Sequence, residues 1–566
     1  MKRLLPIIAA FSLLCACSLE EKPASLNTRE NFYKTEPQCR AALGGCYLPL
    51  NEIYTSGFLL ATEACTDIWY SNSTSKDAAL DVTPAKPLMG LTVWTYGYQG
   101  VMRCNECIEC IASAENVPQD TRNVMTAEAR VLRALYYHIL TSFFNGVPFY
   151  TYPVTDTETM ARIRTLPRTD ANEIRHAMYQ DLKENALPYF TMDNGYRRRG
   201  SEVTDHRAAY PLALMLMAKF AMWEEDWEAA LAPLKELEML YGELTEERYP
   251  LRETMWRFKN TAESIFEIQH DYDVDGLRYY GNAARMIMPR WDGGDVYDGV
   301  DISSLGEVGV RWAAIRSNPA YAVFRPATGT AQTENSTYAG NTMFDPLPLT
   351  YDEYRSDLNR YSVKIDVDAI RTGSIRGKKI DKRVYYVLGL GDLDSLAVYG
   401  RLPSRKEGIT FVQTNVYGIG WGGPKFWCPG MIKSYDSNNY KIFRYADAVL
   451  MMAECYINLE DEQNALKYLN YTRRRAEVAE ITVFNGFEAL TAELRCERAR
   501  ELGGEFQRKF DLVRWGVWYE QTYKNTNSSG LKSRMKPCHR YYPIPDSECA
   551  LSGGVLTNDE YLEYGM

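Results

Sequence analysis

Six charged residues near the C-terminal end have the types and the spacing to do chemistry: Glu497, Glu501, Glu505, Arg508, Asp511 and Arg514 recur at steps of three and four. Two carboxylates at a fixed separation can cleave a glycosidic bond when one is kept protonated and the other ionised. The same spacing puts all six on one helix, where it makes ion pairs and docks neighbouring helices. Nothing else in the chain supplies a matched acid, base and water pocket, so no catalytic residue is assigned and the set reads as scaffold. Arg444, Asp447 and Glu454 read likewise. Cys104, Cys107 and Cys110 have the CxxCxxC spacing of metal ligands, but no fourth ligand lies nearby. The run from Met102 to Ala114 reads as a helix, on which thiols three apart drift around one face and serve as small buried hydrophobes. Only five histidines exist, none in an HxxxH pair. Asp292, Asp295, Asp298 and Asp301 recur every third residue around Gly293, Gly294 and Gly299. Carboxylates and backbone oxygens there leave Ca²⁺ as an alternative, but the spacing fails the standard calcium loop and a solvated loop is the reading. No cofactor is expected.

The elements that must position these residues are mostly helices. After Thr126, the positions Ala129, Leu132, Tyr136, Leu140 and Phe143 keep three- and four-residue steps, and Asn145-Gly146-Val147-Pro148 stops the helix. A second helix starts near Thr169 or Asp170, which can cap it, and runs to Leu187-Pro188. Ala208 to Trp223 and Trp227 to Tyr241 form a pair around the turn Glu224-Glu225-Asp226. The same unit returns as Tyr445 to Leu459 and Gln463 to Arg475 around Glu460-Asp461-Glu462. This is the grammar of tetratricopeptide repeats, in which small alanines let paired helices approach and pairs stack. Between Asp271 and Tyr440 the chain turns to Gly, Asp, Asn, Thr and aromatics, which predicts long loops with short strands on a helical frame. The stretch Phe58 to Tyr98 mixes Asp67, Trp69, Trp94 and Tyr96 with turn residues in a similar way.

Length and composition bound the function. A chain of 566 residues exceeds one simple core. Net charge −10 argues against nucleic acid, whose binding needs clustered Lys and Arg. Aromatics reach 13%, with 41 Tyr and 11 Trp, and their flat apolar faces with polar edges suit sugars and peptides. At the N-terminus, Lys2 and Arg3 precede the apolar run Leu4 to Leu14, too short to span a bilayer and followed by small residues, which is a secretory signal. Leu14-Cys15-Ala16-Cys17 resembles a bacterial lipobox, so residues 1–16 are read as a leader and Cys17 as a diacylglyceryl anchor. The acidic Ser18-Leu19-Glu20-Glu21 resembles the export signal that sends lipoproteins of Bacteroidetes-type bacteria to the outer face of the outer membrane. Of thirteen cysteines, removing Cys15 and lipidating Cys17 leaves eleven, an odd number spread over a large protein and unlike a disulfide-stapled domain.

Further landmarks line up in order. Asn31-Phe32-Tyr33 is followed by Ala41-Ala42-Leu43-Gly44-Gly45-Cys46-Tyr47 and then Thr66-Asp67. Next come Glu128-Ala129-Arg130-Val131-Leu132-Arg133-Ala134-Leu135-Tyr136-Tyr137 with Gly146-Val147-Pro148, then Arg168-Thr169 and Asp181-Leu182. Arg444-Tyr445-Ala446-Asp447 through Glu454, Glu497-Arg498-Ala499-Arg500-Glu501-Leu502 through Arg514-Trp515, Pro543-Ile544-Pro545, Asn558 and Tyr561 complete the series. Over nearly the whole mature chain this resembles the SusD/RagB family of surface glycan- and nutrient-binding lipoproteins, with 271–440 outside any pattern that aligns.

The resemblance implies one mainly α, tetratricopeptide-like domain over 17–566, carrying a loop-rich insertion at about 271–440. It implies a binding protein, not an enzyme, lipid-anchored outside the outer membrane, that captures oligosaccharide for a SusC-like TonB-dependent transporter. A peptide ligand on the same scaffold, a surface glycoside hydrolase and a protein–protein adaptor are the alternatives. In the family the binding face is built from N-terminal loops and the insertion. Aromatic rings there can lie against the C–H face of a pyranose while Asp bonds its hydroxyls, which selects Asp67, Trp69, Trp94, Tyr96, Trp291, Tyr297 and Trp312. Pro543-Ile544-Pro545 is expected to lay a strand-like tail against the helices.

Overall fold

The computed structural model describes residues 32–71, 76–254, 258–271 and 436–566 except 527, with short segments between 281 and 426. The architecture is mainly α-helical. The first helices are α1 (Glu36–Gly45), α2 (Leu48–Ile53) and α3 (Ser56–Thr62), followed by the long antiparallel neighbours α4 (Met89–Ala112) and α5 (Gln119–Phe144). Helix α5 begins well before Thr126, because Pro118 opens it and Gln119 and Arg122 bond locally to Asn123 and to the Ala112 carbonyl. It ends where Asn145 takes φ 63, with Gly146 and Pro148 beyond.

Helix α4 starts earlier than the cysteine run suggests, so Trp94 and Tyr96 lie on a helix and not on a loop. Gly97 and Gly100, which look like turn residues in sequence, are packing residues. A Cβ on Gly100 would lie 2.2 Å from the Tyr136 ring, and one on Gly97 would lie 2.8 Å from Leu140. The two long helices approach as closely as they do because side chains are missing there. Cys104 and Cys107 are buried in this packing and Cys110 is half-buried.

Helix α6 (Ala171–Asn185) carries the predicted cap, Asp170 accepting from the Asn172 N–H at 2.8 Å. The two predicted pairs form as α7 (Tyr210–Trp223) with α8 (Trp227–Tyr241), and α9 (Tyr445–Asn458) with α10 (Glu462–Arg475). Their turns are built alike: Glu225 and Glu460 both take φ 57, and Asp226 and Asp461 accept from the N–H groups of Ala229 and Asn464. Helices α8 and α9 pack together across the gap in sequence, and the Tyr241 and Tyr445 rings stack with centroids 4.8 Å apart. The pairs therefore form one stack that the insertion leaves and rejoins. Its neck is a two-stranded antiparallel clasp, Ser264–Ile268 against Tyr440–Arg444, with Ile268 opposite Tyr440. Within the insertion the described pieces are short antiparallel strands, among them Val296–Tyr297 with Val300–Asp301 and Arg360–Ile365 with Thr410–Thr414.

The charged landmark does not lie on one helix. Gly504 at φ 85 and Phe506 at φ 62 split it into α11 (Phe487–Leu502) and α12 (Arg508–Arg514). Pro543-Ile544-Pro545 is an extended segment that forms no strand. The N–H of Tyr542 donates to the Phe143 carbonyl, and Asn558 bonds both backbone groups of Ile544. Among the described residues no helix is long and apolar enough to cross a membrane.

Candidate ligand-binding site

Of the aromatic and acidic candidates, three lie in the interior. Asp67 is 3% exposed, and both its oxygens take N–H groups of Arg508, Oδ1 from Nε at 2.8 Å and Oδ2 from Nη2 at 2.6 Å. Trp69 is fully buried in a short strand paired with Ile315–Ser317, its ring edge-on to Phe426 at 5.6 Å. Trp94 is 6% exposed and sits edge-on to Tyr98 and Phe144. Tyr96 is half-buried on the same helix. The backbone of Tyr297 pairs with Val300, whereas Trp291 and Trp312 lie outside the described residues, as do Asp292, Asp295 and Asp298. Burial of Asp67 and Trp69 follows from packing: the first is an internal ion-pair partner and the second fills space under the insertion.

The C-terminal carboxylates form a buried ion-pair network. Arg444 bonds Glu263, Glu501 and Glu505; Arg475 bonds Glu263 and Glu501; Arg383 bonds Asp381, Glu497 and Glu501; Lys425 bonds Glu505 at 2.6 Å. Burial alone would raise the Glu497 carboxyl, but Arg383 and Arg500 overrule it and hold it at about 2. Glu501 is depressed in the same way by Arg475, Arg444 and Arg383 against the opposing effect of burial. These groups stay ionised and surrounded. Glu63 goes the other way, pushed up to about 7 by burial, with its oxygens taken by the N–H groups of Gly504, Gln507 and Arg508. Asp447 pairs with Lys219 and Arg498, and Glu454 with Arg514 and the Trp515 N–H.

Among the described residues, two grooves that open to solvent bear on binding. The first, of roughly 350 Å³, is lined by Trp94, Tyr98 and Tyr150 with Met160, Ile163 and Leu551, so it holds one of the predicted aromatics. Tyr98 and Tyr150 stack there, and the Tyr98 hydroxyl donates to the Pro148 carbonyl at 2.8 Å. It is a mainly apolar surface.

The second, of roughly 540 Å³, carries more polar and charged side chains among its lining and lies between residues 44–51, residues 205–207 and residues 259–271. Two of the landmark residues meet at its wall: the Tyr47 hydroxyl donates to Glu128, which also accepts from Arg207 Nε at 2.8 Å and from the Tyr196 hydroxyl at 2.9 Å. Asp205 and His206 hold consecutive left-handed conformations at φ 55 and 52, a strain that surrounding structure must maintain. Glu267 uses Oε2 to accept from the Asn260 N–H and from Asn439 Nδ2, both at 2.9 Å. His270 Nδ1–H donates to the Asn438 carbonyl at 2.7 Å, and burial lowers this imidazole to about 4, so it is neutral. None of these cleft residues was selected from sequence. They come from three separated segments, and the only local trace is the polar run Gln269-His270-Asp271 at the start of the insertion.

Residues 430–561 match the family model described as the SusD family, and residues 51–187 match one described as starch-binding associating with outer membrane. A SusD-like protein of Formosa agariphila is 25% identical over 98% of this chain and 96% of its own length. Among solved structures, a SusD-like protein from Bacteroides fragilis superposes with TM-score 0.65 at 19% identity, over 93% of this chain and 97% of its own. Surface glycan-binding protein A from Bacteroides thetaiotaomicron, in complex with laminarihexaose, gives TM-score 0.57 at 19% identity over 92% and 99%. At these identities the solved structures establish a shared fold.

Proposed function

The chain belongs to the SusD/RagB family, and from that premise we propose that it captures oligosaccharide at the cell surface, without cleaving it, for a SusC-like TonB-dependent transporter. The observation that carries this reading is the chain-long likeness to SusD-like proteins, one of the similar folds having been solved with laminarihexaose bound. Binding without hydrolysis is supported by the carboxylates themselves. Glu497 and Glu501 are ionised and enclosed by arginines, and the raised Glu63 carboxyl is fully buried with its oxygens bonded, so none of them meets a substrate as a general acid. A lipid on Cys17 would hold the helical stack outside the outer membrane, where the family model described as associating with outer membrane is consistent with it.

The test is a titration of the mature chain, residues 17–566, with laminarihexaose, maltohexaose, cellohexaose, xylohexaose and mannohexaose. The expected result is saturable quenching of tryptophan fluorescence by at least one of them with no shortened product on chromatography. Cleavage would make the protein a hydrolase. Binding to a tryptic peptide mixture and to none of the glycans would replace sugar by peptide as the ligand.

A further inference from the structure

The polar cleft between the α1–α2 corner, the 205–207 turn and the end of strand Ser264–Ile268 has the size of a small-ligand site, for which about 300–1,000 Å³ is usual. Three of its side chains carry a polar atom with no hydrogen-bond partner: His206 Nδ1, Arg207 Nη2 and Glu267 Oε1. Glu267 is 3% exposed, so its unmatched oxygen is a costly arrangement that a ligand or water would relieve. A carboxylate only accepts, a guanidinium only donates, and an imidazole nitrogen does either. A ligand that answers all three must offer both donors and acceptors. An anionic ligand is disfavoured and a neutral one suits the wall, since Asp205, Glu267 and Asp271 outnumber Arg207 and Lys259, and Arg207 already pairs with Glu128. A hydroxyl group is donor and acceptor at once, and a pyranose carries one on most ring carbons. Beside these groups the Tyr47 ring and Leu48, the latter 43% exposed, offer apolar surface to the ring's C–H face.

The geometry points to this cleft, and not to the aromatic groove at Trp94, as the subsite that holds a neutral hexose unit of the glycan. The inference rests on the glycan-binding reading above and adds the place and the contacts.

Gly44 lies at the cleft, and a Cβ built on it meets nothing within 4 Å, so Gly44→Trp fills the space without removing any partner. Leu551, 56% exposed in the aromatic groove, supplies the control Leu551→Glu. Isothermal titration of wild type, Gly44→Trp, His206→Ala and Leu551→Glu with the tightest-binding hexasaccharide of the panel separates the cases, with melting temperatures confirming the fold. We expect Gly44→Trp to weaken binding at least tenfold, His206→Ala to weaken it several-fold, and Leu551→Glu to leave it unchanged. Wild-type affinity in a folded Gly44→Trp, or loss of affinity in Leu551→Glu instead, overturns the cleft while glycan capture stands. Should Gly44→Trp not fold, unchanged affinity in His206→Ala overturns the cleft by itself. If wild type binds none of the five hexasaccharides, the glycan reading fails and the subsite with it.

Discussion

Asp67 and Arg508 lie 441 positions apart in sequence and are joined in the interior by two parallel N–H···O bonds of 2.8 and 2.6 Å. This pair ties the N-terminal segment to α12 in the geometry that a guanidinium and a carboxylate match best. Removing one partner leaves the other charge buried and unpaired, which costs about 3–5 kcal/mol. Asp67→Asn is therefore expected to lower the urea midpoint by that equivalent without abolishing glycan binding at saturating ligand in the protein that remains folded. Loss of binding with unchanged stability would make Asp67 a ligand contact after all.

The glycine contrast tests the packing of α4 on α5. Gly100→Ala pushes a methyl group into the Tyr136 ring and is expected to cost about 3 kcal/mol or more. Gly45→Ala, where a Cβ meets nothing within 4 Å at the last residue of α1, is expected to be neutral or slightly stabilising. Equal effects of the two substitutions on the melting temperature would contradict the close approach.

Stability should fall on mild acidification. His138, His270 and His539 are lowered by burial from 6.5 to about 3, 4 and 4, so they are neutral in the folded chain while the unfolded chain takes up protons below about 6.5. A depressed folded-state value means that their contribution is intact above pH 6.5 and is lost as pH falls from there toward 4. Glu63 acts in the opposite sense. Its value rises from 4.5 to about 7, so its contribution is full below 4.5 and is lost as pH climbs to 7. The three imidazoles outweigh Glu63 together with the smaller burial-driven rises of Asp77, Glu224 and Glu246, and urea midpoints measured from pH 7 to pH 4.5 should decline. His270→Gln should flatten that slope and Glu63→Gln should steepen it.

The proposed surface anchor rests on one sulfur. Cys17→Ser is expected to move the protein from the membrane fraction to the soluble fraction and to remove it from intact-cell surface labelling. Full labelling of the variant would leave the lipid out of the account.

The paired helices were legible because each one carries its own evidence. A nearly continuous apolar run fills Tyr210–Trp223 and most of Tyr445–Asn458, and an Asp stands at the cap position of each partner helix. The first half of α4 was not legible, since Gly97 and Gly100 look like turn formers until the ring of Tyr136 is seen against them. Asp67 and Trp69 beside turn residues look like a surface binding pattern, and the partner that buries Asp67 is 441 positions away. The polar cleft had no compact signature, because Arg207 and Glu267 are each unremarkable within their own segments, Tyr47 reads only as a landmark of the family, and the three acquire meaning only when the stack brings them together.

The insertion is also held where it crosses the frame. Arg383 and Lys425, both within it, are the counter-charges of Glu497, Glu501 and Glu505 on the frame. Those two residues act as fixed posts, alongside the Ile315–Ser317 strand that pairs with the Trp69 strand of the frame. A chimera that transplants the insertion from a relative to change what the protein captures must therefore bring an Arg and a Lys to the same two places, or cut so that the native ones stay behind.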